Sequence, residues 1–511
     1  MTTRAALATT TARAQSPAVL RHMSSSTSSS DEEQRSVFTV LTTYFGFATL
    51  TLFGYLRDLV GRLTGKSRYV TELRSSEDAA QARIVRGWER FYTRRMFNRI
   101  QDCWSRPVVG RPSTWITLAE RCSTDGQKTM ETHLDIALPR QVLNLGSYNY
   151  LGFADDDWNA TCGEQVRAGL KQWGVAVCAG PSQIGTTTQQ MQLERVVAAF
   201  VGKEDAVVFG TGYATNAWAI PILVGKGSLI VSDALNHMSI VNGCRASGAV
   251  TQTFAHNDAE DLERVLKRAV MQDAPSYDKI LVICEGLYSM EGHTARLRNI
   301  VHVCKRYKAF LYVDEAHSIG ALGATGRGIC ELEGVDPAQV DVLMGTFTKS
   351  FGGLGGYVAS SKPVCDMVRA CLAAQGRSAM SPVVAAQVLR AFHLLDCTQL
   401  GKDKLARLQS NALFFRRELE KMGCTVLGDD ASPIIPVMLY HPTKIAAFSR
   451  ECLKRSLAVV VVGAPAVPMD KSRARFCVSA SHTREDLRWA LVEIRAVSKL
   501  LNLRYERSAF G

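Results

Sequence analysis

The chain has 511 residues, with 60 Lys and Arg against 48 Asp and Glu, a net charge of +12; 46% of residues are apolar and 21% charged. This composition is globular and excludes a mostly disordered, collagen-like or multiply membrane-spanning chain. At roughly 150 residues per domain, the length suggests about three units. The basic excess suits nucleic acid, an anionic membrane face or phosphorylated substrates, and composition alone does not choose among them. None of the 14 cysteines falls in a CxxC pair, so zinc ribbons and thioredoxin-like motifs are disfavoured, and reduced, packed thiols are the reading.

Residues 1–36 are rich in Ala, Ser and Thr and carry Arg4, Arg13 and Arg21 with no acid before Asp31. They read as a disordered tail, with a mitochondrial transit peptide as the compositional alternative. No apolar run follows the first charge, which excludes a secretory signal. Residues 37–56 (VFTVLTTYFGFATLTLFGYL) hold no charge. As a helix they reach ~30 Å, one bilayer core, and the threonine hydroxyls can bond back to their own helix. A membrane segment is predicted here, spanning or lying in the interface. Asp31, Glu32 and Glu33 precede it and Arg57, Arg62, Lys66 and Arg68 follow, which leaves the bulk of the chain cytosolic by the positive-inside rule.

Residues 57–145 form a basic juxtamembrane region and N-terminal arm. Ile84, Trp88, Phe91, Tyr92, Met96 and Ile100 recur at helical spacing among Arg83, Arg86, Arg90, Arg94, Arg95 and Arg99. That pattern predicts a basic amphipathic helix, lying on anionic lipid or packed on the body. No nucleic-acid motif accompanies it.

In residues 146–395, helical pieces such as MQLERVVAAF and Asp258–Met271 lie between the β-rich runs DAVVFG, SLIVSD, KILVICEG, FLYVDEAH and VDVLMGTF. Apolar runs with little alternation, separated by helices, predict a mostly parallel sheet covered on both faces, with ligands at the carboxyl ends of its strands. Residues 396–511 read differently. CTVLGDD, PIIPVMLY, LAVVVVG and RARFCVSA read as strands, with helices near Lys444–Arg455 and Glu485–Leu501, the last opened by a Thr483/Asp486 capping signal. A smaller α+β C-terminal domain follows.

The polar clusters fall at strand ends. Lys349, in GTFTKSFGG, sits among hydroxyls and glycines after an apolar strand, where desolvation makes an amine nucleophilic toward a carbonyl. Asp314 closes FLYVD and His317 follows it in DEAH. A carboxylate there can keep a pyridinium nitrogen protonated, and the imidazole can bond a phenolic oxygen. A helicase reading of DEAH fails because no GxxxxGK[ST] loop occurs. Phe209–Asn216 (FGTGYATN) offers backbone amides to an anion at a helix start. Asn236-His237 and the Glu285–Gly292 turn with Ser289 end two further strands.

These motifs, in this order, resemble the α-oxoamine synthase family of fold-type I pyridoxal-phosphate enzymes. Within it the resemblance narrows to the serine palmitoyltransferases and their lysine-bearing large subunit. LTLFGYLRD, ERFYTRR, GSYNYLGF, SDALNHMS, VDEAHSIGALGATGRG, GTFTKSFGG and RARFCVSASHTRED carry it from about residue 41 to the C-terminus. The resemblance implies that Lys349 holds pyridoxal 5'-phosphate covalently and then removes the Cα proton of bound serine. Asp314 would pair with the ring nitrogen, His317 and Ser289 with its polar edge, and His237 would stack on its face and touch the substrate carboxylate. Gly212, Tyr213 and Thr346 would help seat the cofactor, and Arg475 would take the substrate carboxylate with Tyr148 and Asn149 nearby. No metal is implied.

The implied reaction joins L-serine and a long-chain acyl-CoA (palmitoyl-CoA) into 3-ketosphinganine, CoA and CO2. Aminolevulinate synthase or 2-amino-3-ketobutyrate CoA ligase chemistry, and a non-catalytic scaffold, are the alternatives. The resemblance further implies a heterodimer with a lysine-less homologous subunit, a homodimer being the alternative, at the endoplasmic reticulum membrane rather than the mitochondrion. Departures from the family pattern are Gln190 where relatives carry histidine, a shortened stretch over 370–383, and Pro465-Ala466-Val467-Pro468 in place of a P-A-T-P-like turn.

Overall fold

The computed structural model describes residues 37–64, 91, 95–124, 130–137, 141–155, 157–181, 183–271, 276–374, 379–464 and 466–503. The transit-like tail and most of the predicted basic helix lie outside the described residues. In the N-terminal arm the strands are β1 (Val108–Val109), β2 (Trp115–Cys122), β3 (Glu131–Ala137) and β4 (Val142–Asn144). The middle of the chain gives β5 (Asp205–Phe209), β6 (Leu229–Asp233), β7 (Val250–Phe254), β8 (Ile280–Glu285), β9 (Phe310–Asp314), β10 (Val342–Thr346) and β11 (Gly356–Ser360). The C-terminal part adds β12 (Ile434–Tyr440), β13 (Leu457–Ala458), β14 (Val460–Val462) and β15 (Ser472–Cys477).

The seven middle strands form one sheet in the order β5-β11-β10-β9-β8-β6-β7. Only β11 runs against its two neighbours. Strands β6, β8 and β10 are buried along their whole length or nearly so, which is why their sequences are unbroken apolar runs rather than alternating ones. Helices cover both faces, and the two resulting apolar layers meet the sheet from either side. The parallel strands β6, β8, β9 and β10 all end on the same edge, so Asp233, Glu285, Asp314 and Thr346 line up along it.

Strands β12, β15 and β14 make a small antiparallel sheet. The arm joins this end of the chain: β4 pairs in parallel with β13, and Leu143 and Leu145 pack with Phe415, Phe476 and Leu487 in one apolar cluster. CTVLGDD is not a strand. Only Val426 makes a bridge, to Val437, because Gly423 and Gly428 on either side take positive φ and turn the chain away. The C-terminal helix, Arg484–Leu500, starts in a full Thr483/Asp486 capping box. All 14 cysteines are free thiols, most of them buried.

The apolar N-terminal segment is a helix, Val37–Leu63, that continues beyond Leu56. Among the described residues it is the one helix long and apolar enough to cross a membrane, by length and composition. The hydroxyls of Thr42 and Thr43 bond the Thr39 carbonyl and that of Thr49 bonds Phe45, at 2.7–3.1 Å, which removes their polarity from the helix surface. One narrow stripe, Thr43, Phe47 and Gly54, is buried against the body. Tyr55 stacks on Phe91 at 4.2 Å, and Arg95 pairs with Asp58. Near its end the predicted basic helix departs from the expected periodicity: Phe97–Cys103 is a 3-10 segment, with Ile100 at φ −122° and ψ 23° breaking the helical path.

Candidate active site

Lys349 follows β10 in a turn whose flanking aromatic residues, Phe347 and Phe351, are fully buried. Phe351 stacks on Phe392 at 4.1 Å and Phe347 lies 5.6 Å from Tyr357, so the lysine backbone is anchored on both sides by ring packing. Gly352, at φ +60°, lets the chain turn away at once; a Cβ there would sit 3.0 Å from the backbone of Phe153 and Ala154. The Lys349 side chain enters a cavity of about 330 Å³ bounded by Ser147, Tyr148, Asn149, Ala154 and Gly353. Its amine lies 5.7 Å from the centre of the Tyr148 ring. Desolvation pulls its pKa down from 10.5 to about 8, against the opposing pull of Asp314 and Glu285.

Asp314 is buried at the end of β9. Its two carboxylate oxygens accept hydrogen bonds from the Asn216 amide at 2.7 Å and the Ala316 backbone N–H at 2.8 Å. His317 is also buried, with Nδ1 2.8 Å from the Tyr150 hydroxyl and its ring edge-on to Tyr148 at 5.0 Å. Burial, reinforced by the cations Lys349 and Arg475, holds His317 well below its ordinary pKa and therefore neutral. His237 caps the helix Met238–Ser247, where its Nδ1 accepts the Ser239 backbone N–H. Its own backbone N–H donates to Glu285 at 2.5 Å, and burial lowers its pKa too.

Arg475 reaches the same place from β15. Its guanidinium carbon lies 4.8 Å from the Tyr148 ring centre, and one terminal nitrogen donates to the Ser289 carbonyl at 3.4 Å. Its Nε is buried without a hydrogen-bond partner among the described residues. The structure thus gathers Lys349, Asp314, His317, His237, Tyr148 and Arg475 into one electrostatically connected cluster, with Ser289 at its rim.

Others among the predicted residues are already engaged. The Thr346 hydroxyl donates to the Gly355 carbonyl at 2.9 Å and ties the lysine turn to β11. The Asn149 amide is held between the Pro112 carbonyl and the Ala154 N–H, both at 3.3 Å. Gly212 starts the helix Gly212–Leu223, where a Cβ would lie 2.5 Å from Thr346 Oγ1, so only glycine lets these two loops meet. Tyr213 is half exposed, its hydroxyl accepting from Asn242 at 2.6 Å.

Residues 140–494 match the aminotransferase class I and II family. The chain is 48% identical over 475 residues to long chain base biosynthesis protein 2d of Oryza sativa subsp. japonica, covering 91% of this chain and 95% of that one. It is 43% identical over 479 residues to serine palmitoyltransferase 2 of Dictyostelium discoideum, covering 92% and 96%. The chain belongs to the serine palmitoyltransferase family. A solved member, serine palmitoyltransferase from S. paucimobilis with a bound PLP–myriocin aldimine, superposes with a TM-score of 0.68 at 30% identity, covering 77% of this chain and 92% of that one. The mostly parallel seven-stranded sheet with a smaller C-terminal sheet is the fold-type I arrangement of this family.

Asn216, Ser239, Glu285 and Tyr150, which sequence reasoning did not single out, bond directly to Asp314, His237, His237 and His317 respectively. Asn216 stood in the FGTGYATN motif and Glu285 in the turn motif, but their partners lie far along the chain, and only folding brings them together. The departure at Gln190 also finds its place: its Oε1 accepts the Met380 backbone N–H at 3.3 Å, so it braces the segment that leads into the helix Pro382–Cys397.

Proposed function

We propose that this chain is the catalytic, lysine-bearing subunit of a serine palmitoyltransferase. It condenses L-serine with palmitoyl-CoA to give 3-ketosphinganine, CoA and CO2, the first step of sphingolipid synthesis. The observation that carries this reading is the Lys349 amine, desolvated to a pKa of about 8 and flanked by Asp314, His317, His237 and Arg475.

The residues present fit pyridoxal phosphate. The helix Gly212–Leu223 begins at Thr211, whose side chain caps none of its first amides, and these amides and the glycine-only approach to Thr346 suit a phosphate. Asp314, with both oxygens held in place, would hold the proton of a ring nitrogen. His317 and Ser289 would face the ring's oxygen, and His237 its face. When bound, the cofactor supplies an electron sink for negative charge at the serine Cα.

The chain's own residues do the rest. Lys349, neutral at mildly alkaline pH, takes the Cα proton and returns one. The Nε of buried Arg475, without a partner among the described residues, is left for the serine carboxylate, and the Tyr148 ring packs against the guanidinium. Residues 146–395 would thus hold the cofactor and residues 396–511 supply the carboxylate site. The helix Val37–Leu63 would place the site beside the membrane in which a long acyl chain resides, the body facing the cytosol at the endoplasmic reticulum. A lysine-less homologous subunit would complete the enzyme.

The test is an absorbance spectrum of the purified chain supplied with pyridoxal phosphate, alone and with the candidate partner. A near-visible cofactor band that shifts with L-serine but not glycine, and that is absent in Lys349→Ala, is expected. Absence of a band under either condition overturns the catalytic reading.

A further inference from the structure

His237 begins the helix Met238–Ser247 and Asp314 ends β9, yet an unbroken line of hydrogen bonds joins them. Asn216 Nδ2 lies 2.7 Å from Asp314 Oδ2 and 3.0 Å from Ser239 Oγ, and Ser239 Oγ lies 2.8 Å from His237 Nδ1. At the far side the Tyr312 hydroxyl donates to Asn216 Oδ1 at 2.7 Å. Asn216 and Ser239 are both almost completely buried, so no water competes for these groups.

Each member of this line constrains the next. The Asn216 amide turns its nitrogen toward the Asp314 carboxylate and its oxygen toward the Tyr312 hydroxyl. The second amide hydrogen then occupies the Ser239 oxygen, and the Ser239 hydroxyl hydrogen is left to point at His237 Nδ1. The Ser239 backbone N–H converges on the same Nδ1 at 3.2 Å, as the capping geometry requires. Two donors aimed at one ring nitrogen leave it no proton of its own.

We propose that Asn216 and Ser239 are positioning residues that transmit the charge of Asp314 to His237, fixing the imidazole in the tautomer that carries its proton on Nε2. His237 then presents a hydrogen-bond donor, not a base, to the carboxylate of the amino-acid substrate, and Lys349 is left as the base. This rests on the proposed function only for the identity of that carboxylate; the tautomer is a property of the chain itself. Desolvation of the ring lowers its pKa, which agrees with it.

The test uses the full-length chain labelled with ¹⁵N-histidine, with and without added pyridoxal phosphate, His237→Gln identifying the ring's signals. The expected spectrum is that of a neutral ring protonated at Nε2. Ser239→Ala, which leaves the longer backbone N–H contact as the one remaining donor to Nδ1, should give a tautomer mixture, and Ser239→Thr, which keeps the hydroxyl, should restore the single form. In turnover, Ser239→Ala should raise the KM for serine about 5- to 10-fold with kcat changed less than about 2-fold, the scale of one weakened hydrogen bond. A wild-type ring protonated at Nδ1 overturns the proposal, whether or not the variants fold. So does a Ser239→Ala ring that keeps the single Nε2–H form. A chain with the expected spectrum that fails to use serine would instead overturn the proposed function and leave the relay standing.

Discussion

The central guanidinium carbon of Arg475 lies over the Tyr148 ring, 4.8 Å from its centre, although the two residues stand far apart in the chain. Tyr148 thereby meets three site groups at once, since Lys349 and His317 also border its ring. A phenol with such neighbours stays protonated: burial pushes its pKa up to about 12 in spite of Arg475.

Replacing Arg475 by lysine should therefore impair serine use despite conserving charge. A point-like ammonium keeps neither the guanidinium contact with Tyr148 nor the Nε donor. The expected loss is roughly 10- to 100-fold in kcat/KM for serine, matching about 1.5–3 kcal/mol for a charged hydrogen bond, with the KM for palmitoyl-CoA little changed. Steady-state kinetics varying each substrate in turn would check it. An equal rise in both KM values would refute the assignment.

The parallel sheet was legible because β6, β8 and β10 are buried on both faces and must be apolar throughout, a pattern that survives without any structure. Lys349, Asp314 and His317 were legible because each stands at or just past a strand end on the same edge. Asn216, Ser239 and Tyr150 were not, because the worth of a polar side chain depends on a partner elsewhere in the chain: Tyr150 meets His317 across 167 positions. The segment CTVLGDD misled for a local reason. Its apolar residues fit a strand, but Gly428 at φ +89° ends the extended path immediately. The arm's union with the C-terminal sheet through β4 and β13 was equally invisible, since pairing register is a property of two strands together.

Membrane association should depend on the outer face of the first helix. Phe45 is 74% exposed and Leu56 46%, whereas Thr43 and Phe47 are buried against the body. Placing glutamate at both exposed positions leaves those packing contacts in place but sets two charges against lipid, at up to about 2.5–3.5 kcal/mol for an acid at a helix centre and less toward its end. Phe45→Glu/Leu56→Glu should move the protein from vesicle pellet to supernatant with its thermal midpoint kept. Unchanged pelleting would show that another surface holds the membrane.

Gln190 should behave as a brace rather than a surface substitution. Its side chain is buried and accepts the Met380 N–H, so Gln190→Ala strands a buried donor. The expected destabilisation is about 1–3 kcal/mol. Urea unfolding would measure it, and because Met380 leads into the helix Pro382–Cys397, limited proteolysis should speed up near this segment first. Stability within about 0.5 kcal/mol of the parent would mean the bond contributes nothing net.

Lys349 supplies a pH dependence with a definite sign. Its amine is depressed from 10.5 to about 8 in the folded chain, so between these values the unfolded state binds more protons than the folded one. Stability of the cofactor-free chain should therefore rise with pH through this window, relative to Lys349→Met, which lacks the group. Capture of pyridoxal phosphate follows the same titration from the other side, because only the neutral amine attacks the aldehyde. Its rate, read as growth of the absorbance band, should climb about tenfold per pH unit below pH 8 and level off above it. A rate still rising steeply at pH 10 would mean that the lysine is not desolvated, and that the packing of Phe347, Phe351 and Tyr148 around it does not prepare the amine for the reaction.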